Sequence, residues 1–182
     1  MFKYNLCLFR REDEILLLNR IKAPWMGCWN GIGGKTEKGE TPREAMIREI
    51  HEETGIKAYT LHFKGVVTWT WNEQPHGGMY IYLADVEDTY EYSTPLATEE
   101  GLLDWKKIDW IMHPENGGIA KNIPRILEKM LNDENCYNHH CVYEGDELVK
   151  WEAFDMNPAV ENAEEIQKIL STRENITSEY IH

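Results

Sequence analysis

The sequence predicts an α+β fold, in which a mixed β-sheet surrounds one acid-rich helix and a second helix follows later in the chain. Segments with strand-like apolar patterns occur on both sides of a helix that has clear start and stop signals. An amphipathic helical pattern follows most of the strands, which is typical of an α+β domain. The 182 residues suffice for one substantial core, and no linker or repeat divides them. We therefore expect one domain over residues 1–156 and a C-terminal extension over 157–182 that is helical and packs on it.

The first two strands are expected to pair at the start of the chain. Residues 1–10 place apolar side chains at period two, and residues 15–18 form a short buried run beyond a polar turn. Residues 20–31 are predicted to form a loop rich in glycine, proline and tryptophan. Tryptophans on such a loop either stack on a planar ligand or fill the core, and for Trp29 we favour the core.

The acid-rich helix is predicted over residues 42–54. Thr41 and Glu44 have the spacing of a capping box, and Pro42 occupies the first helical position, where its missing N–H costs nothing. Gly55 supplies the stop, because glycine readily takes the left-handed conformation that ends a helix.

Beyond this helix the pattern predicts five strands and two further helices. Residues 72–78 are predicted to form a polar turn, and residues 87–100 an acidic loop. The strands are expected over residues 59–71, 79–86, 103–111, 140–143 and 148–154, and the helices over residues 123–131 and 158–170.

The formal net charge of −13 argues against a nucleic-acid polymer as the partner, since no basic patch is present. A triphosphate would also be repelled unless metal ions accompanied it. No apolar run is long enough for a signal peptide or a membrane span, so we expect a cytoplasmic protein without a membrane partner. The four cysteines lack the spacing of a zinc site and are expected to be reduced thiols.

Three carboxylates crowd the end of the acid-rich helix. Glu49, Glu52 and Glu53 are spaced i, i+3 and i+4, which puts them on one helical face. Like charges at this spacing oppose the helix, and they lie at the negative end of its dipole. The helix is therefore either an ordinary acidic surface helix or part of a divalent-cation site, where the cation turns repulsion into attraction.

The wider spacing decides between these interpretations. Gly34, five residues, Glu40, seven residues, Arg48-Glu49-Ile50, one residue, Glu52-Glu53, one residue and Gly55-Ile56 match every defined position of the Nudix box. The sequence thus resembles the Nudix hydrolase family. The resemblance implies an α/β/α sandwich with a mixed sheet, and an attack of water on a phosphorus of a nucleoside diphosphate linked to another group.

The resemblance also implies a metal centre. Carried onto this sequence, the family's ligands are Glu49, Glu52 and Glu53, completed by the carbonyl of Gly33. The implied ion is Mg²⁺, with Mn²⁺ as the alternative; it would activate water and offset charge on the leaving pyrophosphate.

Other residues in and near the box take supporting roles. Glu49 is a candidate for positioning or deprotonating the water, and Arg48 for orienting a box glutamate by ion pairing. Glu40 supports the loop or is a simple surface acid. Lys35 can meet a phosphate as a point charge.

Outside the box, the resemblance narrows to MutT-type enzymes that hydrolyse oxidised purine nucleoside triphosphates. Residues 29–35 are similar to the segment that precedes the box in those enzymes. Residues 94–100 are similar to a loop whose second acid, Glu100 here, assists the metal site. Residues 113–116 align with a loop that reads the base, and the similarity spans roughly residues 3–156.

This resemblance implies that Asn30, Glu115 and Asn116 contact the base. Asn30 is equally well explained as a turn residue that satisfies the adjacent backbone, and residues 115–116 as a capping loop. The predicted reaction is hydrolysis of 8-oxo-dGTP to the monophosphate and pyrophosphate. The alternatives are a Nudix pyrophosphatase of another nucleotide and a non-catalytic nucleotide-binding regulator, against which the intact box argues.

Overall fold

β-Strands are the main elements of this structure, a computed structural model that describes residues 2–162 and Ile166. In chain order the elements are β1 (Tyr4–Arg11), β2 (Glu14–Arg20), β3 (Trp29–Asn30), α1 (Pro42–Thr54), β4 (Thr60–Trp71), β5 (Gln74–Asp85), β6 (Leu96–Ala97), β7 (Gly101–Lys107), α2 (Ile108–Met112), α3 (Ile123–Asn132), β8 (Cys136–Glu144), β9 (Glu147–Met156) and a 3₁₀ turn (Pro158–Glu161).

The strands form one mixed sheet, as the sequence predicts. Its order is β6-β7-β2-β1-β5-β4-β8-β9, and β3 pairs with β2 beside this path. The pairs β1–β5 and β4–β8 are parallel, and the other pairs are antiparallel. The predicted pairing of the first two strands is confirmed, and the strands predicted over residues 140–143 and 148–154 pair as a C-terminal hairpin.

The sheet has a helix on each side, which confirms the α/β/α sandwich. Met46 and Ile50 of α1 belong to one buried cluster, and Ile126 of α3 belongs to the other. Successive side chains of β1 point to opposite sides of the sheet, so Cys7 lies in the cluster that contains α1 and Leu8 in the cluster that contains α3. We call these two sides of the sheet the α1 face and the α3 face.

The predicted turn over residues 72–78 is wrong in extent. The β4–β5 hairpin turns on Asn72 and Glu73 alone, which both have positive φ (48° and 65°), and β5 begins at Gln74. Two residues in this conformation suit the twist of a hairpin, so no longer loop is needed. Gly77 and Gly78 lie inside the strand, where the rings of Trp69 and Phe2 pack over them.

Two further boundaries differ from the sequence-based prediction. The strand expected over residues 103–111 ends at Lys107, and a short helix, α2, follows it. A β-bridge pattern also appears within the predicted acidic loop, where Leu96–Ala97 pairs with β7. Both are short elements of two to five residues, which period-based patterns rarely resolve.

The chain beyond residue 156 packs on the α1 face as far as the structure describes it. Val160 and Ile166 are buried in the α1 cluster. Arg43 of α1 forms a two-bonded ion pair with Glu161 (2.8 and 3.2 Å), and the Tyr82 hydroxyl donates to the same carboxylate. Most of the helix predicted over residues 158–170 lies outside the described residues. None of the helices in the described part of the chain combines the length and apolar character needed to cross a membrane.

Candidate active site

The loop that precedes α1 is held in a gap where β1 and β2 separate. The two strands pair at the end of β1, where Phe9 faces Leu16, but nearer its start β1 pairs with residues 32–35 instead. The Cys7 amide donates to the Ile32 carbonyl (2.7 Å), and the Asn5 amide donates to the Gly34 carbonyl (3.0 Å). The glycine-bearing loop is therefore anchored to the sheet beside the acid-rich end of α1.

Glycine is required at two points of this loop. A β-carbon at Gly33, whose φ is 155°, would overlap with the carbonyl of Asn5 in the paired strand. A β-carbon at Gly34 would overlap with the carboxylate of Glu49, which packs directly against the loop. Close backbone approach at both glycines brings the loop and the carboxylates of α1 together.

The capping signals place α1 as predicted. The Thr41 hydroxyl accepts from the Glu44 amide (3.2 Å), and the Glu44 carboxylate accepts from the Thr41 amide (2.8 Å). Gly55 ends the helix with a φ of 69°. Because Met46 and Ile50 are buried against the sheet, the register of the helix directs Glu49 and Glu53 toward the loop, whereas Glu52 is exposed and bonds to Arg48.

Arg48 joins the loop to three carboxylates. Its Nε and Nη2 donate to the two oxygens of Glu40 (2.7 and 2.9 Å), and its Nη1 donates to Glu49 (2.9 Å) and Glu52 (3.0 Å). Nη2 also donates to the carbonyl of Lys35 (2.9 Å). These bonds hold the pKa of Glu40 at about 2, chiefly through Arg48. The predicted pairing of Arg48 with a box glutamate is present in this geometry.

The surroundings of Glu53 disfavour the negative charge of its carboxylate. Among the described residues, no donor reaches its buried Oε2. Burial raises the pKa of Glu53 to about 8, and the negative charge of Glu49 adds to this rise. A hydrogen bond from the Gly33 backbone opposes the rise without cancelling it. Glu53 therefore meets both the loop backbone and a second carboxylate, as a metal ligand in this position would.

Glu100, which directly precedes β7, also acts on Glu53. Its negative charge contributes to the raised pKa of Glu53, so two predicted metal ligands from distant segments are brought together. The Thr98 hydroxyl accepts from the Glu100 amide (3.2 Å) and fixes the backbone before β7.

Two basic residues accompany these acids, and the sequence reasoning missed both. Lys22 forms an ion pair with Glu100 (2.7 Å), and the positive charge of Arg20 lowers the pKa of Glu53. Both lie on the loop between β2 and β3 or at its start. The only sequence signal was their place in the segment before the box.

The remaining predicted site residues are Asn30, Lys35, Glu115 and Asn116. Asn30 uses its side-chain oxygen to accept from the Gly31 amide (2.8 Å), which is the local turn role. Asn116 donates to the Trp110 carbonyl (2.8 Å) and accepts from the Gly118 amide (3.0 Å), so both ends of its amide hold the loop. Lys35 and Glu115 are exposed. These bonds favour the structural interpretation of Asn30 and Asn116.

A surface cavity of about 420 Å³ lies beside residues 112–117. Glu115 and Asn116 are part of its wall, together with Arg125 of α3 and Leu148 of the C-terminal hairpin. Half-buried aromatic side chains also border the α3 cluster, and they include Trp25, Trp29, Trp69 and Tyr143. The expectation that Trp29 packs on the core is confirmed.

The fold and the box define a class of protein. Residues 4–129 match the family model described as the NUDIX domain, which covers more than half of the chain. The chain therefore belongs to the Nudix family, and it is a Nudix hydrolase. Nudix hydrolases generally use divalent metal ions.

Individual relatives are similar over most of this domain. An uncharacterised Nudix hydrolase, YvcI, of Bacillus subtilis is 34% identical over 129 residues, which cover 70% of this chain and 78% of that protein. The oxidized purine nucleoside triphosphate hydrolase of Mus musculus is 32% identical over 109 residues, covering 59% and 67%. The NAD-capped RNA hydrolase NudC of Haemophilus influenzae is 40% identical over 132 residues, but the chain spans only 47% of its length.

A solved structure agrees with the fold. The mutator MutT protein from Bacillus halodurans superimposes with a TM-score of 0.66 at 25% identity, and the match covers 84% of this chain and 97% of that one. The Nudix domain of Shewanella oneidensis NrtR, solved with ADP ribose, has the same fold at 12% identity and a TM-score of 0.52.

Proposed function

We propose that this protein hydrolyses a nucleoside triphosphate to the monophosphate and pyrophosphate, with Mg²⁺ (or Mn²⁺) as its cofactor and 8-oxo-dGTP as its substrate. The observation that carries the metal-dependent reaction is the environment of Glu53. Its buried oxygen has no donor among the described residues, and its pKa is raised to about 8 by burial and by neighbouring carboxylates.

The residues present fit a divalent cation. Glu49, Glu52, Glu53, Glu100 and the Gly33 carbonyl offer only oxygen atoms, which hard cations prefer. A bound cation would favour the ionised form of Glu53 and relieve the repulsion that raises its pKa. Among the described residues, no group of three or more acidic, histidine or cysteine side chains is placed so that it could hold an ion by itself, so water molecules would have to supply the remaining ligands.

The bound ion supplies the activation of water and the neutralisation of phosphate charge. The side chains of the box do the rest. Glu49, packed against Gly34, positions the attacking water and accepts its proton. Arg48 holds Glu49 and Glu52 in place, while its two bonds to Glu40 fix its own guanidinium. Lys35, exposed beside the loop, meets a phosphate of the substrate.

The choice of an oxidised purine triphosphate rests on sequence similarity, on aromatic side chains and on net charge. The oxidized purine nucleoside triphosphate hydrolase of Mus musculus is similar over two thirds of its own length. Half-buried tryptophans on the α3 face offer flat surfaces on which a base can stack. The net charge of −13 disfavours a nucleic-acid polymer but not a nucleotide that carries metal ions.

A second candidate is a pyrophosphatase of another nucleoside diphosphate derivative, such as a dinucleotide. It is favoured by the 40% identity to NudC, although that match covers less than half of the NudC chain. A non-catalytic binding protein is a third alternative, and every defined position of the box argues against it.

A panel of substrates separates these candidates. The purified protein is incubated with Mg²⁺ and 8-oxo-dGTP, dGTP, NADH, diadenosine polyphosphate or ADP-ribose, and product release is measured. We expect pyrophosphate release from 8-oxo-dGTP at a higher kcat/KM than from dGTP. Faster cleavage of NADH or ADP-ribose would replace the first candidate with the second. No product from any substrate would favour the binding protein.

Variants of the box test the metal site within the same assay. Glu52→Gln and Glu53→Gln are each expected to lower kcat/KM by about 100-fold or more, because they remove charged metal ligands. Glu128→Gln, an exposed position on α3, is the control and should retain full activity. Normal turnover by a folded Glu53→Gln protein would remove the metal-site assignment.

A further inference from the structure

An ion pair lies against two tryptophans on the α3 face. Lys106 Nζ is 2.7 Å from an oxygen of Asp104, and both residues come from β7. The same ammonium is 4.2 Å from the centroid of the Trp29 ring and 5.6 Å from that of Trp110. Neither the box nor the predicted base-reading residues include Asp104, Lys106 or Trp110.

The position of the pair in β7 directs it away from α1. Leu103 and Trp105 are buried in the α1 cluster, so the alternate residues Asp104 and Lys106 face the other side of the sheet. In the register of the sheet Asp104 lies beside Leu17, which belongs to the α3 cluster. The Asp104 and Lys106 side chains keep 24% and 23% of their surface exposed, so a ligand can reach them.

The pair borders the loop that aligns with the base-reading loop of similar enzymes. The Trp29 amide donates to the Gly118 carbonyl (2.8 Å), and Asn116 donates to the carbonyl of Trp110 (2.8 Å). Both tryptophans are thus tied to residues 116–118. Asn116 already bonds this loop through one N–H and its oxygen, which limits what its amide can offer a base that stacks here.

We propose that Asp104 and Lys106 recognise the edge of a guanine-type base that stacks on Trp110, which is 40% exposed, because the Lys106 ammonium already covers a face of Trp29. This inference rests on the proposed purine triphosphatase function. The carboxylate accepts from the two adjacent N–H groups of the base, and the ammonium donates to its neighbouring carbonyl oxygen. An adenine-type edge presents an acceptor nitrogen to the carboxylate instead, so it leaves the pair poorly matched.

The distance along β7 suits a nucleotide. Glu100, whose charge acts on Glu53, precedes β7 directly, and Asp104 follows it four positions later along the strand. At about 3.3 Å per residue this separation is about 13 Å. A nucleotide lying along the strand can therefore place its phosphates near the box and its base at Trp110. The charge on Asp104 is available for this role: burial raises its pKa, but bonds from Lys106 and Thr94 outweigh that effect and keep it below its usual value.

Binding of nucleoside monophosphates tests the inference without relying on hydrolysis. Calorimetry measures the affinities of the protein for 8-oxo-dGMP, dGMP and dAMP. The wild type is expected to prefer the two guanine-type ligands. Asp104→Asn and Lys106→Met should each reduce that preference by about 10- to 100-fold, the size of a well-placed charged hydrogen-bond pair to a base.

The control variant is Lys107→Met. Lys107 is the next residue of β7, is exposed and pairs with Asp13, so its loss should leave the base preference unchanged. Thermal unfolding checks that each variant is folded, and Lys106→Met tests the pair independently if Asp104→Asn unfolds. Equal affinity of the wild type for dGMP and dAMP would overturn the inference, as would an unchanged preference in folded variants.

The monophosphate assay also separates the two proposals. A guanine preference that depends on Asp104, in a protein that releases no pyrophosphate from any purine triphosphate, would refute the proposed function and support the base-recognition pair. Hydrolysis of 8-oxo-dGTP by the wild type, with an unchanged base preference in Asp104→Asn and Lys106→Met, would support the proposed function and refute the base-recognition pair.

Discussion

The buried carboxylate of Glu53 makes a quantitative prediction about stability and pH. In the metal-free protein its pKa is raised from 4.5 to about 8, first by burial and then by the charge of Glu49. The folded state therefore holds a proton that the unfolded state has lost between these two pH values. By linkage, the free energy of unfolding falls as the pH rises through this window, and the loss is complete above about pH 8.

The size of the effect follows from the difference in pKa. At about 1.4 kcal/mol per pH unit, a rise from 4.5 to about 8 corresponds to a loss of at most about 5 kcal/mol. Solvent and side-chain relaxation reduce this figure, so we expect about 2 to 4 kcal/mol. Glu53→Gln keeps the shape of the side chain and removes the titrating group, so the dependence should vanish in that variant.

Urea unfolding measures this directly. The wild type, Glu53→Gln and the exposed control Glu128→Gln are unfolded in EDTA at several values between pH 5 and pH 9, with tryptophan fluorescence as the signal. The free energy of the wild type and of Glu128→Gln should decline relative to that of Glu53→Gln as the pH rises. Adding Mg²⁺ should stabilise the wild type more at pH 8 than at pH 5, because the ion binds the ionised carboxylate. Parallel curves for the wild type and Glu53→Gln would refute the reasoning.

Three further predictions concern other residues. Arg48→Lys loses the two-bonded pair with Glu40, so the Mg²⁺ concentration for half-maximal activity should rise about 10-fold; an unchanged Mg²⁺ titration would show that Arg48 does not position the ligands. Thr41→Ala removes the hydroxyl cap of α1 and should lower the free energy of unfolding by about 1 kcal/mol, whereas Thr41→Ser should not. His139 is fully buried, and burial lowers its pKa from 6.5 to about 4. Between these pH values the unfolded state binds a proton that the folded state does not, so the free energy of unfolding falls as the pH falls through this window. Acid unfolding curves of the wild type and His139→Leu should therefore differ by up to about 3 kcal/mol, and coincident curves would contradict the assignment.

The elements with local signals were predictable. The capping box, the proline and the closing glycine act within a few residues of each other, and α1 begins and ends where they indicate. The strands β1 and β5 follow from period-two patterns, β2 from a short apolar run and β4 from its apolar and β-branched residues, which are local signals too. The turn over residues 72–78 was not predictable in detail, because the glycines and proline that suggested it serve the packing of a strand and its aromatic neighbours.

The candidate site was also predictable only where local spacing carries the information. The spacing of the box indicated Glu49, Glu52 and Glu53 as one group, since helical geometry alone puts them on one face. It could not show that the Asn116 amide hydrogen-bonds to its own loop, or that Lys22 pairs with Glu100 across 78 positions of the chain. Those contacts depend on how distant segments meet, and no local pattern encodes them.

The sequence by itself determined the family and the bounds of the acid-rich helix, because box spacing and helix caps are short-range properties. Tertiary structure alone decided which carboxylate has a raised pKa and which side chains lie against the two tryptophans. The raised pKa of Glu53 requires burial of its carboxylate and the nearby negative charges of Glu49 and Glu100. The pair of Asp104 and Lys106 gains its setting only when β7 places it against Trp29 and Trp110. Burial and Coulomb interactions depend on distances in space, and the fold sets those distances.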